Sequence, residues 1–300
     1  MTTAVLGHAR SVDYMAGSLE PVVAKLNRAV EHYRFLKEEI NDGRDALLHS
    51  VVCEPDPDGL NFRFRLGTVE KLDPRWPVVV GDAYFNLRAT LDYLVFQLHV
   101  HHYGRRGVPD DVADDTAFRI RVSALTPRGN PIAPTSEWTT IRSLSIRDRA
   151  TIERLQPYHL GRDGLDGLRQ ALIDIQTLNN IDKHRELHVV LSLPYAIPDV
   201  YFPPELGSER HPEFGIPAVS GAYIDRWSFT RKPPADVVDM YTGVLLTVGL
   251  YQGSVRYELL ANLGGCIRSV WAIIERFVNR FPPLAIAPDF SWVTRSMKIM

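Results

Sequence analysis

Four separated stretches of the chain carry apolar residues at intervals of three and four, and each such stripe has to be buried against something else. In the first, over 14–40, the stripe is Val22, Leu26, Ala29, Val30, Tyr33, Leu36 and Ile40. In the second, over 77–102, Tyr84, Leu87, Leu91, Leu94, Val95 and Leu98 fall on one arc when each residue advances by 100°. The third, over 165–184, has Leu168, Leu172 and Ile175, and the fourth, over 254–281, runs from Leu259 to Phe277. The spacing predicts helices over about 14–41, 77–102, 165–184 and 254–281, with Gly104 ending the second and Pro282-Pro283 stopping the fourth before a tail at 282–300.

Between these stretches the period falls to two. Residues 47–66, with Asp and Pro alternating before Gly59, predict a β-hairpin, and 118–122 (FRIRV) predicts a short strand. Strand segments recur across 187–251, and 146–155 predicts a short helix closed by Pro157. The expected fold is α+β and mainly α: one domain over 1–300, a four-long-helix bundle with an inserted small antiparallel β-sheet.

An apolar content of 45% supports folding by burial, and the formal charge of −2 gives no global field towards nucleic acid or an anionic membrane. No window holds the roughly 20 apolar residues that a membrane span needs, and 1–12 lacks a secretory pattern, so the expected location is cytoplasmic with no membrane partner. Cys53 and Cys266 show no zinc-type spacing and are expected as core or half-buried thiols.

A polar cluster stands out against this frame. With Arg88 at zero degrees, Asp92 falls at about +40° and His99 at about +20°, while the apolar arc centres near −80°. The buried stripe of the third helix continues by the same spacing to Asn179 and Asp182, so it turns polar. A buried carboxylate needs a cation or several donors, and Arg88 is the expected partner of Asp182. Lys183, His184 and Arg185 follow at the helix end, where the macrodipole favours positive charge.

The strings GDAYFNLRATLDYL at 81–94 and LNNIDKHR at 178–185 resemble an uncharacterised family of bacteria and their phages, with the patterns NLRxxLDxL and NxxDKHR. The first string also resembles the motif helix of the HEPN superfamily, helical bundles that include RNA-cleaving toxins and defence proteins. There an arginine is followed after four to six residues by a histidine. Arg88 matches the arginine, but the fifth position after it is Tyr93, and a tyrosine hydroxyl is a poor proton shuttle at neutral pH. The resemblance implies RNA as a partner, a homodimer, and His184 or His99 as the replacement for the missing histidine.

Two readings follow. In the first, the chain is a phage- or defence-related, non-catalytic domain that binds a protein or small ligand, and Asn86, Tyr93, His99, Asn179, Asp182 and Arg185 form a network that fixes helix register. In the second, it is a HEPN-like, metal-independent ribonuclease: Arg88 stabilises the transition state, His184 or His99 moves protons, and Asn86, Asp92 and Asp182 orient them. His99, His101 and His102 form an HxHH run without an acidic ligand pattern, and no nucleotide loop or nucleophile elbow occurs, so neither metal nor cofactor is expected. Arginines 105, 106, 142, 147, 149 and 154 read as a solvated surface balanced by Asp110 to Asp115.

Overall fold

The computed structural model describes residues 17–43, 48–69, 71–124, 139–160, 166–184, 187, 189–192, 204–213, 217–235, 243–245, 247–252 and 255–284. Seven α-helices and eight strands are assigned among them, an α+β chain that is mainly helical with small antiparallel sheets. The helices are α1 (Glu20–Asp42), α2 (Arg75–Tyr103), α3 (Asp110–Asp114), α4 (Ile146–Arg154), α5 (Pro157–Leu160), α6 (Asp166–His184) and α7 (Leu259–Glu275). The strands are β1 (Leu48–Pro55), β2 (Asn61–Leu66), β3 (Val189–Ser192), β4 (Ser208–Arg210), β5 (Tyr223–Phe229), β6 (Gly243–Leu245), β7 (Thr247–Gln252) and β8 (Val255–Glu258). None of the helices is long and apolar enough to cross a membrane.

Cα proximity divides the chain into two units, with boundaries after Arg28, Tyr84, Gln176 and Gly265. In the first unit, Leu87, Leu91, Leu94, Val95 and Leu98 of α2 are buried, as the 100° arithmetic requires. Leu172 and Ile175 of α6 and Ile267, Val270, Ile273 and Ile274 of α7 are buried as well. Ser145 caps α4 by accepting the Asp148 N–H at 3.1 Å, and Asp148 in turn receives Arg280 Nε at 2.9 Å. Pro157 opens α5 at a position where the missing N–H costs nothing.

The second unit holds both sheets, ordered β4-β5-β2-β1-β6 and β3-β7-β8, with every pairing antiparallel. The β1–β2 turn is closed by Asp58, whose Oδ1 accepts the Leu60 N–H at 2.8 Å, and by Gly59 at φ 65°. Phe62, Phe64 and Leu66 of β2 point into the core with Ile224, Trp227 and Phe229 of β5. The register slips between Phe64 and Arg65, and opposite that bulge Ile224 and Asp225 are buried in succession. Asp225 is kept by Arg210 Nε at 2.6 Å and Trp227 Nε1 at 3.0 Å.

Several expectations need correction. The stretch 118–122 is not assigned as a strand: Phe118 and Ile120 are buried alternately, but among the described residues no neighbouring strand receives their backbone. The Phe118 N–H goes to the Asp92 carboxylate at 2.8 Å and the Arg121 N–H to the Gln156 side chain at 2.9 Å. The fourth long helix starts at Leu259 rather than 254, because 255–258 pairs with β7 and Glu258 caps the helix by accepting the Ala261 N–H at 2.7 Å. It closes at Glu275, with a 3-10 turn at Val278–Arg280. The first helix starts at Glu20, and the expected residues 14–16 lie outside the described residues, as do 236–242 and 285–300 of the expected strand and tail regions.

Candidate functional site

Arg88 and Asp92 sit one turn apart on α2 and meet as a two-pronged pair, Nε to Oδ2 at 3.3 Å and Nη2 to Oδ1 at 3.1 Å. The side chains are 18% and 32% exposed, so the pair is half-sheltered. Asp92 Oδ1 also takes the Phe118 N–H, which gives this carboxylate three donors and leaves the guanidinium neutralised. Asn86 is buried one turn before Thr90, whose hydroxyl donates to the Asn86 carbonyl at 2.7 Å.

His99 does not join Arg88 and Asp92 as an accessible group; it is fully buried. Its Nε2 lies 2.9 Å from the Thr140 carbonyl and its Nδ1 3.2 Å from the Ser143 hydroxyl. Only the tautomer with the proton on Nε2 satisfies both contacts, with Ser143 donating to Nδ1. Burial pushes its pKa below the ordinary 6.5; the Thr140 carbonyl opposes that shift and His102 adds to it. His101 and His102 are exposed, and among the described residues no three of His, Cys, Asp and Glu gather as a metal set.

The α6 residues divide within one turn. Asn179 is buried with its Oδ1 lacking a hydrogen-bond partner, whereas Asp182 is exposed. Asp182 therefore does not need the cation that burial would have demanded, and the carboxylate that engages Arg88 is Asp92. The Asp182 carboxylate rests against Gly81 of α2, where a Cβ would come 2.6 Å from its Cγ. Partial desolvation there, and then the charge of Asp82, raise its pKa above the ordinary value. The side chain of His184 and all of Arg185 lie outside the described residues.

Tyr93 is 41% exposed, with Lys25 Nζ 5.5 Å from its ring centre. It stands with Asp92 in a depression of about 360 Å³ lined also by Phe96, Gln97, Ala113 and Thr116. Phe96, Gln97 and Ala113 also line a deeper groove of about 410 Å³, with Gly17, Glu20, Pro21, Val100 and Val108 among its other walls. The start of α1 is fixed there by Ser18, whose N–H donates to Gln97 Oε1 at 2.8 Å. Gly17, at φ 66°, brings its backbone so close that a Cβ would lie 3.0 Å from the Gln97 carbonyl.

The pairing of Arg88 with Asp92 follows from their spacing of four, but the groove, the partners of His99 and the Phe118 N–H on Asp92 are not legible in sequence, since Gly17, Val108 and Phe118 lie outside helices and strands and Thr140 sits in a short 3-10 turn. One signal was present: the S-x-x-D spacing at 145–148 marks the α4 cap that orders the segment after Ser143. No protein-family model, curated protein or solved structure matches the chain.

Proposed function

We propose that the chain is a non-catalytic binding domain, carried on a bundle of its four long helices, whose polar residues brace α2 while the groove beside them takes the ligand. The observation that carries this reading is the saturation of Asp92 by Arg88 and by the Phe118 N–H. A guanidinium held in a two-pronged pair is neutralised before any phosphate arrives, and His99, fully buried against Thr140 and Ser143, is out of a substrate's reach. The bracing leaves Phe96 36% exposed and Tyr93 41% exposed beside cavities of ligand size.

The test is a comparison of folding with chemistry. Arg88→Ala is expected to lower the melting temperature, and the wild-type protein is expected to leave single-stranded and structured RNA intact in the absence of divalent metal. RNA cleavage that disappears in a folded Arg88→Ala variant would establish the ribonuclease instead.

A further inference from the structure

The groove has a chemical bias that its shape alone does not convey. Its apolar lining comes from Pro21, Phe96, Val100, Val108 and Ala113. Among the described residues, the charged side chains that line the groove and its neighbouring depression are both carboxylates, Glu20 and Asp92. Asp92 is already neutralised by Arg88, whereas Glu20 is exposed and has no ion-pair partner among the described residues. Helix α3, which supplies Ala113 to the wall, exposes Asp110, Asp111 and Asp114. The C-terminal end of α2 meets the groove at Gly104 and adds the negative end of a helix dipole.

Cations are present nearby, but off the lining. Lys25 lies over Tyr93, and Arg105 and Arg106 are exposed in the turn after α2, where Arg106 Nε donates to the Tyr103 carbonyl. One groove thus combines an apolar wall, the aromatic ring of Phe96 and the carboxylate of Glu20. A volume of about 410 Å³ lies within the range of roughly 300–1,000 Å³ typical of small-molecule sites.

Resting on the reading of this groove as the ligand site, we infer that it binds a small organic cation, an ammonium group carried on an apolar body. Glu20 is the counter-ion, Phe96 offers its ring, and Pro21, Val100 and Val108 cover the apolar part. Calorimetric titration with three probes of the same shape tests this: 4-phenylbutylamine, 4-phenylbutan-1-ol and 4-phenylbutyrate, each against wild type, Glu20→Gln and Ala113→Trp. The amine is expected to bind about fivefold tighter than the alcohol, an advantage of the size that a partly exposed ion pair gives, and Glu20→Gln is expected to erase it. Ala113→Trp fills the groove and is expected to abolish binding of the amine while the circular dichroism stays that of wild type.

An alcohol or butyrate that binds as tightly as the amine and is lost in Ala113→Trp overturns the cation but keeps the groove as a site. If none of the probes binds, or if Ala113→Trp leaves binding unchanged in a folded protein, the groove itself is not the site. Glu20 lies on the surface at the start of α1, so Glu20→Gln decides the charge question even if the tryptophan variant does not fold.

Discussion

The hydroxyl of Ser143 reaches the Nδ1 of His99 at 3.2 Å, while Nε2 lies 2.9 Å from the Thr140 carbonyl, so both ring nitrogens are engaged and burial is what disfavours the charged imidazole. Burial has already lowered its pKa, and protonation would turn Nδ1 into a donor facing a hydroxyl that must then reverse. Because the folded value is depressed, the stabilisation from His99 is present above the ordinary 6.5 and is lost as the pH falls below it towards the folded value. Melting temperatures measured from pH 8 to pH 5 should fall more steeply for wild type than for His99→Gln. Parallel curves for the two proteins would refute the assignment.

Removing the α2 ion pair tests the brace. Arg88→Ala leaves Asp92 half-sheltered with only the Phe118 N–H, and the expected cost is about 1–2 kcal/mol. At this chain length that corresponds to a fall of about 2–3 °C in thermal denaturation. An unchanged midpoint would mean that the pair is ornamental.

At Gly81 the expectation runs against helix propensity. Alanine in mid-helix normally gains about 1 kcal/mol over glycine, but here its Cβ would press on the Asp182 carboxylate. Gly81→Ala should therefore lower stability, and adding Asp182→Ala should recover it, which a double-mutant cycle by urea denaturation will measure. Asp182→Asn alone, which removes a charge whose folded pKa is raised, should melt within about 2 °C of wild type and no lower at pH 7. That contribution has the opposite sign from His99: it is present below the ordinary carboxyl value of 3.8 and lost as the pH rises through the higher folded value.

The ion pair on the five-stranded sheet should be the most sensitive of all. The Asp225 side chain is completely buried against Arg210, so Arg210→Met strands a charge at an expected cost of about 3 kcal/mol or more by urea denaturation. Changing both residues to apolar ones should cost less than changing Arg210 alone.

The long helices were legible because burial sets their period: 77–102 was expected for α2 and Arg75–Tyr103 is found. The same arithmetic puts Asp182 on the buried stripe, but a stripe does not report where its cover ends, and α6 leaves the core between Asn179 and Asp182. The FRIRV alternation holds as a burial pattern at Phe118 and Ile120 but fails at Val122, which is exposed, and period two records only which side chains face inward, not where the backbone bonds go. Asp225 was hidden for a related reason, since the bulge at Phe64 and Arg65 shifts which β5 residues face the core. The partners of His99 come from residues 41 and 44 positions away, and no spacing rule spans that distance.

The bond from the Phe118 amide to Asp92 has a consequence for how the molecule breathes. An amide in irregular chain ordinarily exchanges with solvent whenever its loop fluctuates. Here release of that proton requires giving up a carboxylate that Arg88 also holds from the middle of α2. Phe118 should accordingly exchange deuterium on the timescale of the helix, so that the loop and α2 open as one cooperative element.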